Sequence, residues 1–168
     1  MKKMNNKGFS LVELIIVIAI MAILAGAIAP ALIRYIDKSR ISNDVSSCKT
    51  IKTAVETAMA NEKTYELLTN SGKGSTIVVS PDTETSGGGG ITLLGSGGAA
   101  LSGSGDAAAK TEIGANIGEK TPKIKYKKLD AKAFVVEITP GGTVKVGMST
   151  DSKAIKYEVA PELCEQYQ

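Results

Sequence analysis

The chain has 168 residues, 18 of them Gly, with two Cys, no His and no Trp. Without His it lacks the commonest metal ligand and the side chain that titrates nearest neutral pH, which excludes the usual His-based metal and acid–base sites. The formal net charge of +3 is carried by Lys2, Lys3 and Lys7; the other 17 basic side chains balance 17 acidic ones, so net charge alone gives a polyanion no hold.

The first element is an anchor. From Leu14 to Ile33 the sequence holds twenty residues without a charge, enough to cross roughly 30 Å of hydrocarbon as a helix. Three lysines precede the run and Arg34 ends it, which predicts a cytoplasmic N-terminus by the positive-inside rule. An ordinary signal peptide or signal anchor is the alternative, since Ala22 to Ala31 offers small residues for cleavage. Gly26 and Pro30 stand four apart in the second half of the run. Proline there removes a backbone donor and crowds the Gly26 carbonyl, making the pair a weak point where a helix can kink or unwind. Both residues are also simply common in membrane helices.

Past Arg34 the helical period continues. Ile41, Val45, Cys48, Ile51 or Lys52, Val55 and Met59 recur every three or four residues as one apolar stripe, with Asp37, Lys38, Asp44, Lys49 and Glu56 assigned to the polar face. The reading is one helix from about Phe9 to about Asn61, roughly 80 Å long, apolar all round in its first half and packed on a globular domain in its second. Residues 63–122 are rich in Gly and Ser, including GGGG at 87–90, and read as a long surface-covering loop with some order of its own, in which Ile77-Val78-Val79 and Ile91 to Leu94 can dock as short strands or turns. The glycines lack the Lys-Ser/Thr of a phosphate-binding loop. Residues 123–168 read as an antiparallel sheet and tail, with strands at 123–128, 133–139, 143–148 and 154–159 and a hairpin at Pro140-Gly141-Gly142. The fold class expected is therefore α+β. Lys120 to Lys132 is locally basic, read as a lysine-guarded strand edge or as a weak contact for nucleic acid or acidic surfaces. Cys48 and Cys164 allow a single pairing, and the sequence leaves open whether they form it.

No catalytic constellation emerges, and no cofactor or metal site is expected: His is absent, the acids are scattered, and no Ser has an evident base beside it. What remains is KGFSLVELIIVIAIMAILA, with a single carboxylate, Glu13, in an apolar run. This stretch resembles the N-terminus of the type IV pilins, in particular type IVa-like major pilins, and of the related pseudopilins. The resemblance covers about Lys3 to Arg40; beyond it only the architecture is similar. It implies a leader, 1–8, removed by a prepilin peptidase between Gly8 and Phe9, N-methylation of Phe9, and Glu13 as the assembly contact. It further implies residues 9–33 as membrane span and later filament core, residues 34–62 as the amphipathic half, and Gly26 with Pro30 as a region that unwinds in the filament. Family disulfides often close a C-terminal loop, whereas Cys48 lies on the helix.

The partners implied are copies of the chain itself, the peptidase, an assembly ATPase with its inner-membrane platform, and the membrane before assembly, with no specific nucleic acid. The implied product is an extracellular filament for adhesion, motility or biofilm formation. The alternatives are a pseudopilin of type II secretion or competence, and a monomeric signal-anchored surface protein. Gly8 lacks a Cβ, which lets catalytic groups approach the scissile carbonyl. Gly8→Val is accordingly expected to abolish processing, read as retention of Met1 by N-terminal sequencing where the unaltered chain yields methylated Phe9.

Overall fold

The computed structural model describes residues 9–95, 98–101 and 105–160. The chain divides between Ser39 and Arg40 into two compact units. Helix α1 (Leu11–Ala58) supplies all of the regular structure in the described part of the first unit and continues into the second. The second unit adds α2 (Glu62–Thr69), α3 (Asp106–Ile117) and a five-stranded sheet of β1 (Ser75–Val79), β2 (Ile91–Gly95), β3 (Ala133–Ile138), β4 (Val144–Ser149) and β5 (Tyr157–Ala160). The sheet order is β2-β1-β3-β4-β5, with antiparallel pairing throughout. The protein is thus α+β, as its sequence predicts.

Period-2 alternation decides which sheet face meets the helix. Ile77, Val79, Leu93, Phe134, Val136, Ile138, Val146 and Met148 enter one core with Cys48, Ile51, Val55 and Ala58 of α1, Leu68 of α2, and Ala109 and Ile113 of α3. Most of these side chains are fully buried, each larger one contributing about 1.5–3 kcal/mol relative to exposure. Across β1, β3 and β4 the register aligns Ile77 with Val136 and Val136 with Val146, so the branched side chains of neighbouring strands stack on the core face. The hairpin between β3 and β4 lies where Pro140-Gly141-Gly142 places it. Gly142 takes a φ of +81° and its N–H donates to the Thr139 carbonyl at 2.9 Å.

Three expectations require correction. The long helix ends at Ala58, and Asn61 starts α2 instead of closing α1: its side chain accepts from the Lys63 N–H, a local cap that competes with helix continuation. In residues 63–122 the two apolar pieces are strands, within what the sequence allows, and helix α3 is what the loop reading lacks. It is built on the Ala-rich run 106–117 with Asp106 in its first turn. Lys123 to Lys128 is no strand. β1 and β2 fill one side of the sheet, β3 is paired on both edges, and residues 127–129 form a 3₁₀ turn. The exposure alternation read there does hold: Lys123, Lys125 and Lys127 are exposed while Ile124 and Tyr126 are half-buried.

The glycine run works by close approach, not by slackness. A Cβ on Gly89 would come within 2.2 Å of the Glu84 carbonyl oxygen, and one on Gly114 of α3 within 2.9 Å of the Thr85 carbonyl oxygen. Gly89 has an ordinary φ of −57°, so its requirement is space alone. Gly89→Ala should therefore cost roughly 1–3 kcal/mol by overpacking, seen as a lower denaturant midpoint. Gly141→Ala, where a Cβ meets nothing within 4 Å, should leave that midpoint nearly unchanged.

Candidate assembly site on the amino-terminal helix

Every residue from Phe9 to Ile36 is exposed, although most are large and apolar; Phe9 itself is 84% exposed. The helix bearing them is long and apolar enough to cross a membrane. It runs through Pro30 as one helix, and a Cβ at Gly26 would meet nothing within 4 Å. Gly26 and Pro30 are therefore regular helix here, and their role as a weak point stays an expectation.

Glu13 lies in the first turn of α1, and its Oε2 accepts the Ser10 backbone N–H at 2.9 Å. Ser10-x-x-Glu13 has capping-box spacing, with the N3 carboxylate reaching back to the N-cap amide. The S-x-x-E spacing alone is the signal for this local role. Gly8 lies outside the described residues, so the structure brings together Phe9 and Glu13 but not the scissile bond. Phe9, Glu13, Leu14 and Val17 line one apolar recess beside the helix start.

The second unit holds a charged residue that the sequence reading misplaced. Asp44 is fully buried, on the stripe Asp44, Cys48, Ile51, Val55, Ala58 and not on the polar face. Its Oδ1 accepts the Lys125 N–H and its Oδ2 the Tyr126 N–H, both at 2.8 Å. The signal available was the spacing: Asp44 stands four residues before Cys48 and seven before Ile51, on the face the stripe defines. Two backbone donors from a segment outside the sheet explain why a carboxylate is tolerated there. Cys48, one turn on, is a free and fully buried thiol whose pKa is pushed up to about 12 by burial and by the Asp44 charge. Cys164, its candidate partner, lies outside the described residues.

Residues 3–29 match the family model of the prokaryotic N-terminal methylation motif. The likeness to type IV pilins holds. The pilin-like chain is 47% identical over 62 residues to Fimbrial protein Q of Moraxella bovis, covering 37% of this chain and 40% of that protein. It is 41% identical over 61 residues to the Type IV major fimbrial protein FimA of Dichelobacter nodosus, 36% of this chain and 39% of that one. With the Type IV major alpha-pilin of Moraxella bovis it shares 40% identity over 81 residues, 48% and 51% of the two chains. The pilin-like chain thus spans about two fifths to one half of the length of these relatives. No solved structure matches it at a significant level.

Asp44 sets a testable stability term. Burial pushes its carboxyl above the usual carboxylate range, opposed by the two N–H bonds and the Lys125 charge. A raised folded-state pKa means the native state binds the proton more readily than the unfolded chain. The contribution is then complete below about pH 4 and is lost as pH rises through the shifted value. Stability relative to Asp44→Asn should accordingly be greater at pH 4 than at pH 7 in paired denaturant titrations. Asp44→Ala, which strands two N–H groups, should cost roughly 1–3 kcal/mol at either pH.

Proposed function

We propose that this chain is a pilin subunit, cleaved between Gly8 and Phe9 and polymerised into a type IV filament. The observation that carries the reading is the apolar stretch of α1 from Phe9 to Ile33, exposed on all sides and holding a single carboxylate, Glu13, near its head. Such a surface is stable in lipid or against like helices, and one segment can use each in turn. Before assembly the helix spans the membrane with its leader in the cytoplasm; afterwards it lies in a filament core of copies related by contacts that do not close.

Glu13 supplies the registration. An ionised carboxylate in the bilayer costs roughly 3 kcal/mol on insertion scales, and an ammonium at about 4 Å returns about 4 kcal/mol at an effective dielectric near 20. Cleavage after Gly8 creates that ammonium on Phe9. Because Oε2 already holds the Ser10 N–H, Oε1 is the oxygen available to a Phe9 amine, whether of its own chain or of a neighbour. A prepilin peptidase, an assembly ATPase and an inner-membrane platform complete the pathway, and the filament serves adhesion, motility or biofilm formation.

Electron microscopy of material sheared from the cell surface tests the reading, with filaments built of this chain as the expected result. Glu13→Gln keeps a capping-box acceptor and removes the charge. We expect that variant to be processed normally and to yield few filaments; a filament yield equal to the unaltered chain would refute the charge pairing.

A further inference from the structure

Two cations just beyond the apolar run are not used by the pairing of Glu13 with an amine. Lys2, Lys3 and Lys7 already supply the basic flank that keeps the leader in the cytoplasm. Arg34 and Lys38 stand at the opposite end of the run, where positive charge opposes that orientation instead of setting it. Both are exposed, and among the described residues neither side chain has an ion pair or a hydrogen bond. Asp37, the only acid between Glu13 and Asp44, is half-buried and already engaged.

The helix sets where these cations lie. Arg34 and Lys38 are four residues apart on α1, so they share one face with about 5–6 Å between Cβ atoms. The uncharged run from Leu14 to Ile33 rises roughly 30 Å, the thickness of the hydrocarbon layer. Arg34 follows at once and Lys38 about one turn later, both at the depth of the headgroups. Helical Cα–Cβ bonds tilt toward the N-terminus, so both long side chains lean back onto the bilayer surface. Tyr35, 73% exposed, brings an aromatic ring with a polar tip to the same depth. Phosphate is the anion that this layer offers, and a guanidinium grips it through two parallel N–H bonds.

We propose that Arg34 and Lys38, with Tyr35 beside them, bind the phosphate of an anionic phospholipid in the leaflet through which the chain leaves the membrane. The proposal rests on the membrane-spanning reading above and does not require polymerisation. The contact fixes the depth of the helix from its exported end. It has to be released when the helix leaves lipid, so it retains unassembled chains in the bilayer.

The test is electron paramagnetic resonance of the full-length chain in phosphatidylcholine vesicles carrying traces of spin-labelled lipid. Lys2, Lys3 and Lys7 are changed to Gln throughout, which removes the leader's own attraction for anionic lipid. The fraction of label immobilised beside the protein should be greater for phosphatidylglycerol than for phosphatidylcholine. Arg34→Gln with Lys38→Gln should abolish that preference, whereas Arg34→Lys with Lys38→Arg should retain it. Changing the exposed Lys49 and Lys63 to Gln should leave it unaltered. An undiminished preference in the Arg34→Gln, Lys38→Gln chain would overturn the proposal, as would an equal loss on changing Lys49 and Lys63. Displacement by excess inorganic phosphate, but not by chloride of equal ionic strength, would make the pair a free-anion site and overturn the lipid assignment. Loss of cross-linking between copies with the preference intact would assign the face to a second chain, overturning it likewise. Release of the chain from vesicles by alkaline carbonate would overturn the spanning reading and this proposal together; retention without a preference would overturn this proposal alone.

Discussion

One helix must satisfy two surroundings, and the rest of the chain is arranged around that constraint. From Phe9 to Ile36 it has no protein cover, while from Cys48 to Ala58 a single stripe is sealed completely. The sheet, α2 and α3 supply that seal, with core side chains from β1, β2, β3 and β4 converging on one face. An all-round apolar surface can be hidden only by lipid or by other helices, whereas a stripe can be hidden by one sheet. The change of pattern near Arg40 is therefore the point at which the chain passes from a shared environment to one of its own.

Four carboxylates among the described residues accept backbone N–H groups. Glu13 takes the Ser10 N–H, Asp44 takes those of Lys125 and Tyr126, Glu137 takes that of Ile155, and Asp151 takes that of Lys153. For Asp151, the hydrogen bond from Ser149 first, and then the backbone donors, hold the carboxyl below the usual range. Each of these ties down a segment outside the ladder hydrogen bonds, the task a sheet with irregular connections must solve. Glu13 also lines an apolar recess at the start of the helix.

The sequence made legible whatever depends on local period or on a specific short motif. The apolar span, the helical stripe, the hairpin at Pro140-Gly142 and the processing motif around Gly8, Phe9 and Glu13 all belong to that class. What it hid depends on distant partners. Asp44 looks like a surface acid until the N–H groups of residues 125 and 126, more than eighty positions on, are placed beside it. The glycines at 88–90 look like a linker until Lys110 of α3, Glu84 and Thr83 crowd them. Lys123 to Lys128 alternates as a strand would, yet the N–H groups of Lys125 and Tyr126 go to Asp44 and not to a neighbouring strand.

Cys48 carries a consequence of its own. A fully buried thiol held largely protonated reacts slowly with alkylating reagents, and its burial lies among the best-packed side chains of the globular unit. Its reactivity is thus a clock for opening of that unit, set by the protein itself with no label added. Applied to the chain in detergent and in lipid vesicles, the clock would rank the rigidity of the same domain in the two settings.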